Sequence, residues 1–161
     1  MVVCTHGVRA ARVRFPAPRQ IWKETMTLSP QDQQLIQTAS DFIKHRFLQD
    51  HHHLATAIRT TNNDIILGFN MEGSFGCNDI CAEQIALGKA LSEGKTQIET
   101  MVTVRHPEED SLKQEIEVVN PCGKCRELIL DYAPKAFVIM QTENSFAKFP
   151  AKELLPNRYQ K

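Results

Sequence analysis

Five cysteines, Cys4, Cys77, Cys81, Cys122 and Cys125, carry the most visible chemistry of this 161-residue chain. Their odd number, a close C-x-x-C spacing and a start without an apolar run of signal-peptide length argue for reduced thiols. Metal or redox chemistry is then expected in place of a disulfide framework. Cys122-Gly123-Lys124-Cys125 follows Asn120 and Pro121 at the opening of a helix, where free backbone N–H groups and the helix dipole favour thiolates. Alone, that pair could form a redox disulfide. A second element forty residues earlier changes the reading, because Cys81 also opens a helix and Glu83 lies two positions behind it. Three thiolates make the open, catalytic kind of zinc site with one position left for water, whereas four protein ligands make a closed structural one. Glu83 is too near Cys81 to be easily a fourth ligand, yet well placed to take a proton from an activated water and pass it to a substrate. Cys77, four residues before Cys81, supports a rival: a four-cysteine structural site in an interaction or nucleic-acid-binding domain. That rival leaves Glu83 unexplained, and Cys77→Ser separates the two, since loss of zinc favours the structural site and retention the catalytic one.

The elements that must hold these residues are legible from Met26 onward. Ser29 and Pro30 form an N-cap and first-turn pair, and Leu35, Ile36, Ala39, Phe42, Ile43 and Phe47 recur at helical spacing, which predicts a helix over about 29–49. Leu54–Thr60 and Ile65–Asn70 read as strands joined by Thr61-Asn62-Asn63-Asp64 in a hairpin. Asn78 or Asp79 is expected to cap a second helix that ends near Gly94, and Ile98–Val104 is a strand. A polar stretch around 106–113 leads to a strand at Ile116–Val119, the Cys122 helix running to about Tyr132, strands at Phe137–Gln141 and Phe146–Phe149, and a terminal turn at Lys152–Leu155. Helices alternating with strands imply a layered α/β domain with a mixed sheet.

Composition narrows the partners. Hydrophobic residues at 42% and charged residues at 24% are ordinary globular values, which excludes collagen-like and wholly disordered chains. No stretch reaches the roughly 18 apolar residues of a membrane helix. The formal charge of zero conceals an asymmetry: residues 1–25 hold Arg9, Arg12, Arg14, Arg19 and Lys23 against Glu24 alone, which leaves 14 basic and 18 acidic side chains for the rest. Residues 1–25 show neither strand nor helix period, and we read them as a disordered or non-native extension ahead of a natural start at Met26. A basic nucleic-acid arm or a transit peptide are the competing readings. The acidic body, with no basic groove and no aromatic stacking platform, is unsuited to nucleic acid. The four histidines His45, His51, His52 and His53 cluster at a helix end, where solvation is the simpler expectation than metal binding.

Cys81-Ala82-Glu83 with Pro121-Cys122-Gly123-Lys124-Cys125-Arg126-Glu127 resembles the cytidine deaminase superfamily, whose C-A-E and P-C-x-x-C elements stand here in the right order. The resemblance covers about 28–159. Among the branches it looks nearest to the bacterial-type blasticidin S deaminases, on His52-His53, Ala57-Ile58-Arg59-Thr60, Val104-Arg105-His106-Pro107, Asp131-Tyr132-Ala133-Pro134 and Glu153-Leu154-Leu155-Pro156 with Tyr159. The resemblance implies an α/β fold, a three-layer α/β/α sandwich on a five-stranded mixed sheet, in a cytoplasmic homotetramer. It implies one Zn²⁺ per subunit on Cys81, Cys122 and Cys125, with Glu83 shuttling protons. Asn70 and Glu72, eleven and nine residues before Cys81, fall where the family places an Asn-x-Glu pair that holds ribose. His52 stands where a Phe usually packs on the pyrimidine, Ala82 lies beside the base, and Tyr159 matches a terminal aromatic that closes a neighbouring subunit's pocket. Gln84 replaces a frequent Arg, so Arg126 is expected to offset the net charge near −1 of three thiolates and one Zn²⁺. The implied reaction is hydrolytic deamination at C4 of a cytosine-type nucleoside, in pyrimidine salvage and with tolerance for analogues, giving a uracil-type product and ammonia. Blasticidin S, or acylamino, alkoxy or alkylthio groups at C4, are the alternative substrates. The expected partner is a small pyrimidine nucleoside, without nucleic acid or membrane.

Overall fold

A computed structural model describes residues 26–143 and 145–158. The basic segment 1–25, Cys4 and Tyr159 lie outside the described residues. Helix α1 (Pro30–Arg46) starts as its sequence dictates: the Ser29 hydroxyl accepts from the Asp32 N–H at 3.2 Å and the Asp32 carboxylate accepts from the Ser29 N–H at 3.0 Å, a reciprocal cap ahead of Pro30. It ends three residues short of the expected 49, because Leu48 leaves to bridge His52 across a tight turn in which Asp50 takes φ 63°.

Strands β1 (Leu54–Thr60) and β2 (Ile65–Phe69) form the expected hairpin, its turn held by the Thr60 hydroxyl accepting from the Asn62 and Asp64 N–H groups. Helix α2 (Ala82–Ser92) begins later than the sequence suggests. Asn78 ends a short 3-10 turn and the Asp79 carboxylate is taken by the Gly73 N–H, while Ile80 is held extended against Met71, so the cap falls to Cys81. After β3 (Ile98–Arg105) and β4 (Glu117–Val119) come α3 (Gly123–Tyr132), β5 (Phe137–Gln141), β6 (Phe146–Pro150) and a terminal turn at Ala151–Glu153.

The sheet runs β2-β1-β3-β5-β6, antiparallel except for the β3–β5 pair. That is the expected five-strand path, with the short β4 added as a sixth member. β1 occupies one edge of β3 along its whole length, so the other edge is shared: β5 takes Thr100–Val102 and β4 takes Thr103–Arg105. The Asn120 side chain bridges the junction, its amide donating to the Gln141 carbonyl at 3.3 Å while its oxygen accepts from the Gln141 N–H at 2.8 Å.

The three layers follow from alternation along the strands. On one face Leu35, Ala39 and Ile43 of α1 meet Ala55, Ala57, Val102, Val104 and Ile139; on the other Ala86, Leu87, Ala90 and Ile129 of α2 and α3 meet Ile58, Ile66, Met101, Val138 and Met140. α2 lies directly on β2: a Cβ at Gly68 would stand 2.6 Å from the Ala86 nitrogen. No helix among the described residues is long and apolar enough to cross a membrane.

The α1 face also buries charge. Asp32, 0% exposed, accepts from the Arg59 guanidinium and the Lys148 ammonium at 2.9 Å each, and Arg59 reaches the Glu99 carboxylate at 2.9 Å and the Thr100 hydroxyl at 3.3 Å. Burial alone would push the Asp32 carboxyl up, but Lys148, the Ser29 backbone and Arg59 outweigh it and hold it down at about 2.

Candidate metal centre and active site

Two helix N-termini meet beneath the sheet's α2/α3 face. Cys81 caps α2, Cys122 caps α3, and Cys125 lies one turn into α3 with 1% exposure. Cys81 and Cys122 bring their sulfurs to 3.9 Å, and all three sulfurs lie within 4.8 Å of one another. That spacing is far too long for a disulfide and matches the edge of a zinc–thiolate tetrahedron, about 3.8 Å for Zn–S bonds of 2.3 Å. The donor set therefore fits one Zn²⁺. Cys77 is exposed, its thiol bonded to the neighbouring Asn78, and it is not part of the cluster among the described residues.

The thiols disagree in their proton affinity, as crowded like groups must. Burial, with the charges of Cys122 and Glu83 behind it, pushes Cys81 up. Burial pushes Cys125 up as well, here with the charge of Glu83 as the second cause. Cys122 is also penalised by burial, but hydrogen bonds from Cys125 and Cys81 outweigh that and leave it below the usual thiol value. A cation that replaces the protons removes the conflict, since metal binding and thiol ionisation are linked.

Glu83, 6% exposed, sits in the first turn of α2 beside these sulfurs. Burial raises its carboxyl above the ordinary range, against hydrogen bonds from its own backbone, from Cys125 and from Thr103. Thr103 in turn shares a 2.8 Å hydrogen bond with Thr56 on the neighbouring strand. Thr56 and Thr103 escaped the sequence reading. Two threonines on a buried sheet face carry no local signal; only the β1–β3 register, which pairs them, brings them under Glu83.

Gln84 uses its side-chain oxygen to accept from the Cys81 N–H at 3.3 Å, a neutral cap where a cation was the family norm. Arg126 donates to the Pro121 carbonyl at 2.9 Å and the Leu154 carbonyl at 3.3 Å, tying the metal loop to the terminal turn. Ala82 is fully buried between the first ligand and Glu83.

The second group of expected residues gathers at the end of β2, next to Ile80 through the Met71–Ile80 bridge. Asn70 is buried and largely committed: its side-chain oxygen accepts from the His53 and Leu54 N–H groups at 2.9 and 2.7 Å, and its amide donates to Glu72 Oε1 at 3.1 Å. His52 is half-buried, its Nδ1 on the Asn70 carbonyl at 2.9 Å and its ring 4.6 Å from that of Phe69. His53, set aside with the histidine run, instead pairs with Glu72. A separate surface hollow bounded by Arg105, Glu108, Asp110, Lys113, Glu115 and Glu117 holds none of these groups.

A three-layer α/β/α domain with an open three-thiol zinc set and a buried carboxylate beside it defines a zinc-dependent hydrolase. The chain belongs to the cytidine and deoxycytidylate deaminase family, whose zinc-binding region matches residues 29–141. It is 40% identical to blasticidin-S deaminase of Bacillus cereus over 136 residues, 84% of this chain and 97% of that one, and 29% identical to a probable cytidine deaminase of Dictyostelium discoideum over 68% of this chain and 69% of that one. Cytidine deaminases of Bacillus anthracis and Burkholderia pseudomallei share the fold. Their TM-scores are 0.67 and 0.63 at 24% and 21% identity, over 79% of this chain and 88% and 98% of theirs.

Proposed function

We propose that this chain hydrolyses the C4 amino group of a cytosine-type nucleoside, releasing ammonia and leaving the uracil-type product. The observation that carries the reading is the open Cys81/Cys122/Cys125 set with Glu83 buried against it. When bound, zinc supplies a water acidic enough to act as a nucleophile near neutral pH. Everything else falls to the chain. Glu83 accepts one proton from the water and delivers it to the ring nitrogen N3, then takes the second from the oxygen added at C4 and delivers that one to the departing amine. Its burial suits it to a group that must hold a proton and then give it up. Thr103, backed by Thr56, fixes the carboxylate. Arg126 steadies the loop before Cys122, and helix dipoles with that guanidinium offset the charge of the thiolates. His52 and Phe69 form a wall for the base, Ala82 lies beneath it, and Asn70 with Glu72 meets the sugar. Tyr159 of a neighbouring subunit closes the pocket in a homotetramer, and the enzyme works in the cytoplasm, where free thiols persist.

The reading is tested by incubating zinc-loaded protein with cytidine, deoxycytidine, blasticidin S and free cytosine at matched concentration and detecting replacement of amino nitrogen by oxygen by mass spectrometry. Turnover of cytidine supports a salvage role. Turnover of blasticidin S alone supports a resistance role, the second reading, which the 40% identity to the Bacillus cereus protein favours. Turnover of none by the metal-loaded protein refutes both.

A further inference from the structure

Glu72 has two carboxylate oxygens, and the protein uses them unequally. Oε1 takes the His53 Nδ1 at 2.9 Å and the Asn70 amide at 3.1 Å. A carboxylate is a pure acceptor, so the His53 Nδ1 in that contact carries a hydrogen. Both side chains remain partly open, at 22% for His53 and 30% for Glu72. Asn70, which donates to the same oxygen, has its own side-chain oxygen filled by two backbone donors. Among the described residues Oε2 has no partner, and as an acceptor its direction is set by the two donors on its sister atom.

We infer that His53 is a positioning residue for substrate selection: with Asn70 it locks Glu72 so that a single free oxygen reads one sugar hydroxyl donor of the nucleoside. This rests on the nucleoside reading above and adds to it a residue and a division of labour. A free, rotating carboxylate could satisfy itself with water when the hydroxyl is missing. A locked one discriminates, because an analogue without that donor leaves the oxygen desolvated and unpaired. The same geometry rejects a sugar phosphate at that hydroxyl, which would set an anion against the carboxylate.

The experiment compares cytidine with its 2′-deoxy, 3′-deoxy and 5′-deoxy analogues. Affinity is measured by calorimetry in the zinc-loaded Glu83→Gln protein, alone and with His53→Ala or His53→Asn, and kcat and KM in the protein with Glu83 intact. Removing one hydroxyl is expected to cost about tenfold in affinity when His53 is present, of the order found for a well-placed hydrogen bond. In His53→Ala that cost falls to about twofold or less, while the analogue lacking the hydroxyl binds as before. His53→Asn, whose amide can stand near the Nδ1 position, restores most of the discrimination. A merely structural His53 would weaken cytidine and analogue alike, and that result, or an undiminished hydroxyl effect in His53→Ala, overturns the inference while leaving the deaminase reading intact. Failure of the Glu83-intact protein to turn over or bind any of these nucleosides takes down the deaminase reading and this inference with it.

Discussion

The two faces of the sheet both bury ionisable side chains, and they do it in opposite ways. Beneath α1, Asp32 and Glu99 are answered by Arg59 and Lys148, so the cluster is neutral within itself and the Asp32 carboxyl is held down. Beneath α2 and α3, three thiols and Glu83 crowd together with no side-chain cation bonded to them among the described residues; Cys81, Cys125 and Glu83 are all driven up. One face is complete as folded, and the other is complete only with a divalent cation. Interiors penalise unpaired charge, so a concentration of like groups persists where a ligand is to be bound. The comparison separates stability from chemistry by location: changes on the α1 face should cost folding, and changes on the other should cost turnover.

The largest effect falls on the ligands themselves. Cys125→Ala is expected to remove bound zinc, read by elemental analysis, and to bring turnover below detection. Glu83→Gln should keep zinc and fold yet lose at least about 10³-fold in kcat, within the range attributed to general acid–base catalysis; normal turnover there would break the proposed mechanism. Arg59→Leu addresses the other face. It leaves Asp32 with Lys148 as its remaining cation among the described residues and should lower folding stability by about 1.5–3 kcal/mol in urea unfolding, the range for a hydrogen bond to a charged group, while kcat per folded molecule stays within twofold. The acid limb gives a further check. Because the Asp32 carboxyl is lower folded than unfolded, its stabilisation is present above about pH 4 and is lost as pH falls towards about 2, so Tm should fall across that window less steeply in Asp32→Asn than in the parent. The smallest expected effect is Cys77→Ser, with zinc retained and activity changed less than twofold; loss of metal would restore the four-cysteine alternative.

Much of the metal centre was legible because its requirements are local. A thiolate at a helix start announces itself through C-x-x-C after Asn120-Pro121 and through Cys81 with Glu83 behind it, and the strands flanking them alternate plainly. The ends of the elements were less legible: nothing in Asn78 or Asp79 reveals that the Met71–Ile80 bridge holds the backbone extended past them and defers the helix to Cys81. Side-chain commitments were not legible at all where partners are remote. Asp32 reads as a helix-cap acid, yet its buried partners stand 27 and 116 residues away. His53 reads as one of a solvated run, because the carboxylate that claims it arrives from another strand end.

The thiol cluster joins positions 81 and 125, and the 43 residues of chain between those ends contain α2, the central strand β3 and β4. Zinc on those sulfurs cross-links the molecule around its own middle strand, and by the chain-entropy reasoning used for disulfides a ring of that length is worth about 4 kcal/mol. Holding the metal thus governs persistence as well as turnover. A zinc-starved cell would lose this protein twice over, once as a catalyst and again as a substrate for proteases acting on a ring that has come undone.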